Sequence, residues 1–197
     1  MIKRGFDLFF SGIGILLLCP ILLVIAITIK IESNGPVLYI QKRVGLGGAM
    51  FRLFKFRTMF VGADRQGLLT VGSRDNRITK IGYYLRKYKL DELPQLFNVF
   101  IGSMSLVGPR PEVQKYVELY TDKQREVLSV KPGITDFASV HFSNENEILA
   151  QSDNPELLYV KRIMVQKIRL NKLYIRSRSI KLDFAIILMT ISKILKR

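Results

Sequence analysis

Residues 89–111 read K-L-D-E-L-P-Q-L-F-N-V-F-I-G-S-M-S-L-V-G-P-R-P. The segment opens on two adjacent carboxylates, Asp91 and Glu92, and continues as an apolar run. Because the apolar periodicity starts just after Asp91 and Pro94 is tolerated only in a first turn, the pattern predicts that Asp91 is a helix N-cap. A carboxylate at the positive end of a helix dipole is expected to stay ionised near neutral pH.

The two carboxylates can have different chemical roles. Neighbouring residues on a helix do not share a face, so one can bind a metal ion while the other points at a reacting atom. That geometry suits a nucleophile beside a ligand. An acidic first turn is also a common device for stabilising a helix, so the pair alone does not separate the two interpretations.

The end of the same segment holds a cation in a restricted loop. Gly108 lets the backbone turn sharply, and Pro109 and Pro111 restrict it on both sides of Arg110. A guanidinium group matches phosphate oxygens in pairs. Because a carboxylate that attacks a phosphate needs cations nearby, the loop favours phosphate chemistry close to Asp91.

Length, composition and charge restrict the class of protein. The chain has 197 residues, enough for one domain and an appendage. It is 48% hydrophobic and carries a net charge of +15, which predicts an anionic partner such as nucleic acid, phospholipid or a phosphorylated substrate. The single cysteine, Cys19, and the single histidine, His141, exclude an internal disulfide framework and cysteine-cluster or histidine-based metal sites.

Residues 8–29 hold no charge and are long enough to cross a bilayer as a helix. A signal peptide fits less well, because the run exceeds a usual h-region and no A-x-A-like cleavage site ends it. Pro20, near the middle, removes a helix hydrogen bond and predicts a bend. Basic residues flank both ends, as on the cytoplasmic side of membranes, which favours a re-entrant hairpin over a kinked single span.

The next segment predicts a β-hairpin. Residues 37–44 and 50–59 are rich in aromatic and β-branched residues and flank a glycine-rich connection. Lys55 and Arg57 lie two apart on the second strand and therefore share a face, either against substrate phosphate or lipid headgroups or as a solvated basic surface. Residues 62–77 are predicted to form a mobile loop of the kind that covers a nucleotide site.

Several helices are predicted from apolar spacing and capping residues. Residues 78–89 form a candidate helix with Arg86 near its C-terminal end, about one turn before the carboxylate pair, where a cation also favours the helix dipole. Thr121 and Asn154 are each predicted to begin a helix. Residues 182–195 are too short to span a membrane and suit an interfacial helix.

Residues 157–182 contain eight basic residues and no acidic one. Tyrosines among these cations could track a phosphate backbone, so a membrane-tethered nucleic-acid-binding protein is the alternative class. No recognised nucleic-acid motif accompanies them, and apolar residues recur at helical spacing, so helices on an anionic membrane explain the run equally well. A glycosidase is disfavoured, because its two carboxyl groups must stand well apart.

Five segments resemble one known family: D-E-L-P-Q-L, M-S-L-V-G-P-R-P, K-P-G-I-T, the N-terminal K-R-x-F-D and K-F-R-T-M at 55–59. They resemble the bacterial sugar transferase family, the small monotopic polyprenyl-phosphate phosphoglycosyl transferases, over nearly the whole chain. The resemblance implies transfer of a sugar phosphate from a UDP-sugar to undecaprenyl (polyprenyl) phosphate, with Mg²⁺ and a covalent aspartyl intermediate. It implies that Asp91 and Glu92 are the catalytic and metal-binding pair. The residues implied to bind phosphate are Arg86, Arg110 and Lys55.

The sequence departs from the better-known members of this family at three places. D-F-A-S at 136–139 stands where they often have G-W-A-Q, and Ser103 stands where Asp is frequent. Cys19 precedes Pro20 at the predicted membrane break, where many members have serine. A serine there can satisfy a freed carbonyl, which a thiol does only weakly.

These observations predict an α+β, mostly helical protein. Residues 1–32 are expected to form a re-entrant membrane helix-hairpin, and residues 33–197 a catalytic domain with a small β-hairpin and amphipathic interfacial helices. The expected location is the cytosolic face of the bacterial inner membrane, at the first membrane step of a surface glycan. The expected partners are a UDP-sugar, polyprenyl phosphate and anionic phospholipid, with no nucleic acid. A homodimer is compatible with the sequence.

Overall fold

The computed structural model describes residues 2–63 and 75–196. Most of the loop predicted at 62–77 lies outside these residues. Helices account for most of the described chain, and the strands form two small two-stranded sheets. The mostly helical α+β class is therefore confirmed.

The N-terminal segment is one long helix, α1 (Ile2–Glu32), with Pro20 inside it. By length and composition it could cross a membrane. The helix continues on both sides of Pro20, so it is not divided into the two separate arms of the expected hairpin. Its middle is unpacked, with the side chains of Leu16 and Leu17 about three-quarters and two-thirds exposed.

The first two turns of α1 are attached to the body by polar side chains. Arg4 donates hydrogen bonds to the backbone carbonyls of Val99 and Phe100, at 2.6 and 2.7 Å. Asp7 is buried and accepts a hydrogen bond from the hydroxyl of Ser105 at 3.0 Å. The start of the helix is therefore fixed in orientation as well as in place.

The last turns of α1 are attached to the same body. Ile29 is buried in an apolar cluster with Phe56 and Leu85. The Glu32 carboxylate accepts a hydrogen bond from the backbone N–H of Ile81 at 2.9 Å. Both ends of α1 thus contact one folded unit, while Leu16 and Leu17 between them stay largely exposed.

The predicted hairpin is present. Strands β1 (Leu38–Val44) and β2 (Met50–Phe56) pair antiparallel, with Leu38 opposite Phe56. A short 3₁₀ turn connects them, and its Gly47 and Gly48 have φ values of 64° and 85°, which only glycine adopts readily. The glycine-rich connection is therefore required by the turn.

The predicted helix at 78–89 is also present, with narrower bounds. Helix α2 (Lys80–Lys87) is capped by the Thr79 side chain, which accepts a hydrogen bond from the backbone N–H of Gly82. A 3₁₀ turn (Leu90–Glu92) then leads to α3 (Gln95–Ile101). This turn carries the two adjacent carboxylates.

The remaining elements are short, apart from the last two helices. In chain order they are β3 (Ser105–Val107), α4 (Gln114–Val117), α5 (Asp122–Arg125), β4 (Gly133–Thr135), α6 (Phe137–His141), α7 (Glu145–Ala150), α8 (Pro155–Leu158), α9 (Met164–Ser177) and α10 (Ile180–Leu195). The side chains of Thr121 and Asn154 cap α5 and α8, as predicted. A π-helical turn (Tyr159–Ile163) joins α8 to α9.

The largest apolar core lies among α4, α7, α8 and α9. Its most deeply buried members are Tyr116, Leu149, Tyr159, Ile163 and Met164. Helix α10 packs one face on β3, where Ile186 is fully buried beside Val107. Its other face exposes Phe184, Leu188 and Ile191, so α10 carries apolar side chains on both faces. The helix predicted at residues 182–195 is present, and its place at a membrane interface stays a prediction.

Candidate active site

Asp91 and Glu92 lie in the 3₁₀ turn between α2 and α3. The predicted N-cap role of Asp91 is therefore wrong. Lys89, with φ of 58°, is the residue that precedes the turn, and Pro94 occupies the N-cap position of α3 without a side-chain cap. Sequence periodicity placed the helix start too early, because a separate turn precedes it.

The carboxylate of Glu92 is paired with cationic side chains. The guanidinium group of Arg110 donates to both of its oxygens, with a distance of 3.1 Å from Nη1 to Oε2. The Lys55 Nζ lies 3.4 Å from Oε1. Burial alone would raise the pKa of Glu92, but Arg110, Lys55 and Lys89 hold it well below its ordinary value. Glu92 is therefore an ionised anchor for these cations.

Asp91 has a different environment, although it is the next residue. Its side chain is buried, and Oδ1 has no hydrogen-bond partner among the described residues. Burial and, second, the charge of Glu92 raise the pKa of Asp91, against the opposing effect of Lys55, Lys89 and Arg86. This direction is opposite to that expected for an N-cap. Such an oxygen is available to a ligand, an ion or a water molecule.

A cavity of about 450 Å³ adjoins the pair. Its wall includes Asp91 together with the three predicted phosphate-binding residues, Lys55, Arg86 and Arg110. These four residues come from β2, the end of α2, the 3₁₀ turn and the loop after β3. The fold thus brings Asp91 and three cations into the wall of one cavity.

Lys55 and Arg57 do not have equivalent positions. Lys55, on β2, keeps 16% of its side chain exposed, and burial lowers its pKa to about 8, although Glu92 opposes the shift. Arg57 follows the strand and donates to the carbonyls of Ser33 and Pro36, and also to that of Asn34. Its guanidinium therefore closes the turn after α1 and is not free for substrate phosphate.

The loop that carries Arg110 depends on a close backbone approach. A Cβ on Gly108 would lie 2.5 Å from the carbonyl oxygen of Lys131, and one on Gly133 would lie 2.1 Å from the nitrogen of Gly108. The two glycines thus allow the backbone just after β3 to lie against the start of β4. Glycine is needed here because two backbone segments lie too close together for a side chain, and not because the residue has a positive φ.

Two of the departures from the family pattern support the same region. Asp136 accepts the backbone N–H of Arg110 at 3.0 Å through Oδ2 and caps α6 through Oδ1. Ser103 exchanges hydrogen bonds with Asn98, donating to its carbonyl at 3.1 Å and accepting from its amide at 3.2 Å. Asp136 therefore helps to hold the Arg110 loop, and Ser103 closes the end of α3.

Other residues of the cavity wall were not predicted from the sequence. They are Tyr39, Gln41, Arg43, Glu112, Tyr116, Glu145, Asn146, Tyr159 and Lys167. Tyr39, Gln41 and Arg43 occupy alternate positions along β1, a pattern that indicates one shared face of a strand. Glu112, Tyr116 and Tyr159 lie in separate segments, so no local sequence pattern brings them together.

The residues at the site can accommodate Mg²⁺ in one mode. The described residues contain no group of three His, Cys, Asp or Glu side chains that could hold a metal ion alone. Mg²⁺ commonly binds through one or two carboxylates and completes its shell with water and substrate phosphates. Asp91 offers an oxygen with no hydrogen-bond partner among the described residues. Glu92 Oε2 accepts one hydrogen bond, from Arg110 Nη1, so a second acceptor site remains on that oxygen and this donor set is suitable.

The cavity defines a site for an anionic ligand beside a desolvated carboxylate. A family model described as bacterial sugar transferase matches residues 1–197, and the chain belongs to this family. It is 38% identical to a UDP-N-acetylgalactosamine-undecaprenyl-phosphate N-acetylgalactosaminephosphotransferase of Aeromonas hydrophila, over 98% of this chain and 44% of the relative. It is also 38% identical to a UDP-glucose:undecaprenyl-phosphate glucose-1-phosphate transferase of Klebsiella pneumoniae, over 97% of this chain and 39% of the relative.

The chain spans less than half the length of those two relatives. An uncharacterized sugar transferase of Bacillus subtilis (strain 168), EpsL, is more similar in length. It is 38% identical over 99% of this chain and 88% of its own.

Proposed function

We propose that the protein transfers a sugar phosphate from a UDP-sugar to undecaprenyl phosphate. The observation that carries this proposal is the buried carboxylate of Asp91 in the wall of a cavity that is also lined by Lys55, Arg86 and Arg110. Its Oδ1 has no hydrogen-bond partner among the described residues. The three cations suit a diphosphate, and the carboxylate lies in the wall of the same cavity. The names of the relatives supply the substrate class, since they describe transfer from UDP-sugars to undecaprenyl phosphate.

The proposed reaction has two displacement steps at phosphorus. An oxygen of ionised Asp91 attacks the β-phosphorus of the UDP-sugar, and the bond from that phosphorus to the bridging oxygen breaks, so UMP leaves with the electron pair. The sugar phosphate is then held on Asp91 as a mixed anhydride. An oxygen of undecaprenyl phosphate attacks the same phosphorus and releases the Asp91 carboxylate. Atoms and charge balance without an oxidant or reductant.

The surrounding cations lower the barrier by offsetting charge. Arg110 uses two of its donor groups on Glu92, which leaves other N–H groups of the guanidinium for phosphate oxygens. The hydrogen bonds to Glu92 fix the orientation of that guanidinium in the cavity wall. Lys55 and Arg86 extend the positive surface along the cavity. The charge that develops on the transferred group therefore meets donors that are already in place.

Asp91 and Glu92 would hold Mg²⁺ together with the diphosphate. When bound, the ion offsets repulsion between the carboxylates and the substrate phosphates.

The attachment of both ends of α1 to one folded body supports the proposed monotopic topology. Basic residues on both flanks of the apolar run support the proposed location at the cytosolic face of the bacterial inner membrane. A 31-residue helix is about 46 Å long, yet both of its ends contact the folded body. A folded body on one side of a bilayer cannot hold both ends of a straight spanning helix. The unpacked middle around Pro20 is therefore the part proposed to enter the membrane from one side. The exposed apolar face of α10 would lie on the same membrane surface. The proposed reaction is the first membrane step in the synthesis of a surface glycan.

The two half-reactions provide the test. With UDP-sugar alone, the wild type is expected to release about one equivalent of UMP per active site and to gain the mass of a sugar phosphate, as ping-pong chemistry requires. Asp91→Asn should do neither. Asp153→Asn, an exposed control with the same change of atoms, should behave as wild type. An adduct on the Asp91→Asn variant would show that the nucleophile is another residue.

A further inference from the structure

Glu112, two residues after Arg110, is held by three donors. Arg43 Nη1 donates to its Oε2 at 3.3 Å, and the backbone N–H of Val113 donates to the same oxygen at 2.7 Å. The hydroxyl of Tyr159 donates to Oε1. The carboxylate thereby connects the hairpin, the Arg110 loop and the turn between α8 and α9.

Arg43 contacts the loop directly as well. Its Nη1 donates to the carbonyl of Pro111 at 3.1 Å, next to Arg110. Its Nε and Nη2 donate to the amide oxygen of Gln41 at 3.0 and 2.8 Å. Every nitrogen of this guanidinium therefore has a protein acceptor. Arg43 is arranged to hold backbone in place and not to take a substrate phosphate.

Tyr159 completes the arrangement from the opposite side. It is 3% exposed and packs on the ring of Tyr116, with 4.9 Å between the ring centroids. It is also the first residue of the π-helical turn, a local irregularity that is often found at functional sites. The irregular turn is the backbone that presents its hydroxyl to Glu112.

We propose that Arg43, Glu112 and Tyr159, here called the loop clasp, are positioning residues for Arg110. Pro109 and Pro111 restrict the loop internally but do not fix it relative to the rest of the protein. The clasp supplies that fixed position, from which the guanidinium of Arg110 reaches both Glu92 and the donor phosphates. This inference rests on the proposed function, in which Arg110 stabilises the transferred group. Small misplacements of such a group are costly to the rate.

A double-mutant cycle tests whether Tyr159 acts through Arg110. Tyr159→Phe removes only the hydroxyl and should slow single-turnover adduct formation about tenfold. In an Arg110→Lys background the same change should slow it less than about twofold, because a flexible lysine depends little on loop orientation. Equal slowing in the two backgrounds would overturn the proposal, since a structural role or direct contact of Tyr159 with substrate gives that result.

Two further variants keep the cycle interpretable. Glu112→Gln preserves shape but removes the charge, and it should show the same dependence on Arg110 even if Tyr159→Phe folds poorly. Tyr174→Phe is the control, because this buried tyrosine also donates to a carboxylate, that of Asp183, but lies outside the cavity wall. Its rate of adduct formation should equal that of wild type.

Binding of inorganic pyrophosphate, measured by calorimetry in detergent, separates this inference from the proposed transfer reaction. Tyr159→Phe should weaken binding several-fold with Arg110 present and leave it nearly unchanged with Arg110→Lys. If wild type forms no adduct but this coupling is found, the clasp stands and the transfer reaction is wrong. If pyrophosphate does not bind, or binds with equal loss in both backgrounds, the clasp is wrong.

Discussion

Buried carboxylates in two regions of the molecule have opposite surroundings. Where α1 and α10 meet the body, Asp7 accepts hydrogen bonds from Ser105 and Leu106, both at 3.0 Å. In the same region Asp183 accepts one from Tyr174 at 2.6 Å and pairs with a lysine at 2.5 Å. In the cavity, Asp91 is also buried, with 7% exposure, yet its Oδ1 accepts no hydrogen bond from the residues that the structure describes.

The difference separates carboxylates that stabilise the fold from one that lowers its stability. A buried acceptor with its partners in place stabilises the protein modestly, whereas an unpartnered one costs about 1–3 kcal/mol. Asp183 belongs to the first kind and Asp91 to the second. Active sites commonly keep such costly groups, because a partner that satisfied the nucleophile would also block it.

The largest effects are expected on the rate of adduct formation, when Glu92, the carboxylate next to Asp91, is changed, and on turnover, when Mg²⁺ is removed. Glu92→Gln should slow adduct formation by about a hundredfold to a thousandfold, because it removes the charge that orients Arg110 and one ligand proposed for Mg²⁺. Glu118→Gln, an exposed control, should have no effect. Removal of Mg²⁺ by a chelator should have a larger effect and abolish turnover until Mg²⁺ is returned. Full activity in a chelator would exclude the metal from the mechanism.

The next effect is on stability, in the anchoring region. Asp183→Asn should lower the free energy of unfolding by about 2–3 kcal/mol, because it removes the charge that pairs with Lys3 and disturbs the hydrogen bond of Tyr174. Thermal unfolding in detergent would measure the change. A loss as small as that of the exposed Asp153→Asn would remove the distinction between the two regions.

Lys55 should give the cavity a pH dependence. Burial lowers its pKa to about 8, so the ammonium group loses its proton as the pH rises through that value. The second-order rate constant of adduct formation should therefore fall above about pH 8, by up to tenfold per unit. Lys55→Arg, which stays protonated, should move this limb to higher pH. An identical alkaline limb in both proteins would assign it to another group.

The smallest expected effect has the opposite sign to that of Asp183. Burial raises the pKa of Asp91 above its ordinary 3.8, so its ionised form destabilises the fold. That penalty is absent below pH 3.8 and grows as the pH rises toward the pKa of the folded state. Asp91→Asn should therefore raise the free energy of unfolding by about 1 kcal/mol at neutral pH and by little in acid. Unfolding curves at two pH values would show it, and a lower stability at neutral pH would contradict it.

Local sequence patterns predicted much of the fold. The glycine-rich hairpin connection and the caps at Thr121 and Asn154 each depend on a few adjacent residues, so they could be read directly. The turn at Asp91 could not, because the left-handed conformation of Lys89 inserts a 3₁₀ turn before α3. A lysine gives no signal for that conformation.

The residues of the candidate site also divide into those that the sequence predicted and those that it could not. Asp91, Glu92 and Arg110 occur within one segment, and the fold joins Glu92 to Arg110 directly. The loop clasp could not be predicted, because Arg43, Glu112 and Tyr159 are far apart in the chain and meet only through tertiary packing. The same holds for the raised pKa of Asp91, which depends on burial.

The most direct test of the account is to locate the sugar phosphate on the protein. Wild type is mixed with UDP-sugar in the absence of undecaprenyl phosphate, quenched, digested and fragmented by mass spectrometry. The account predicts that the added mass lies on Asp91 and disappears when undecaprenyl phosphate is supplied. Mass on Glu92, or release of UMP only when both substrates are present and no adduct at any time, would contradict it.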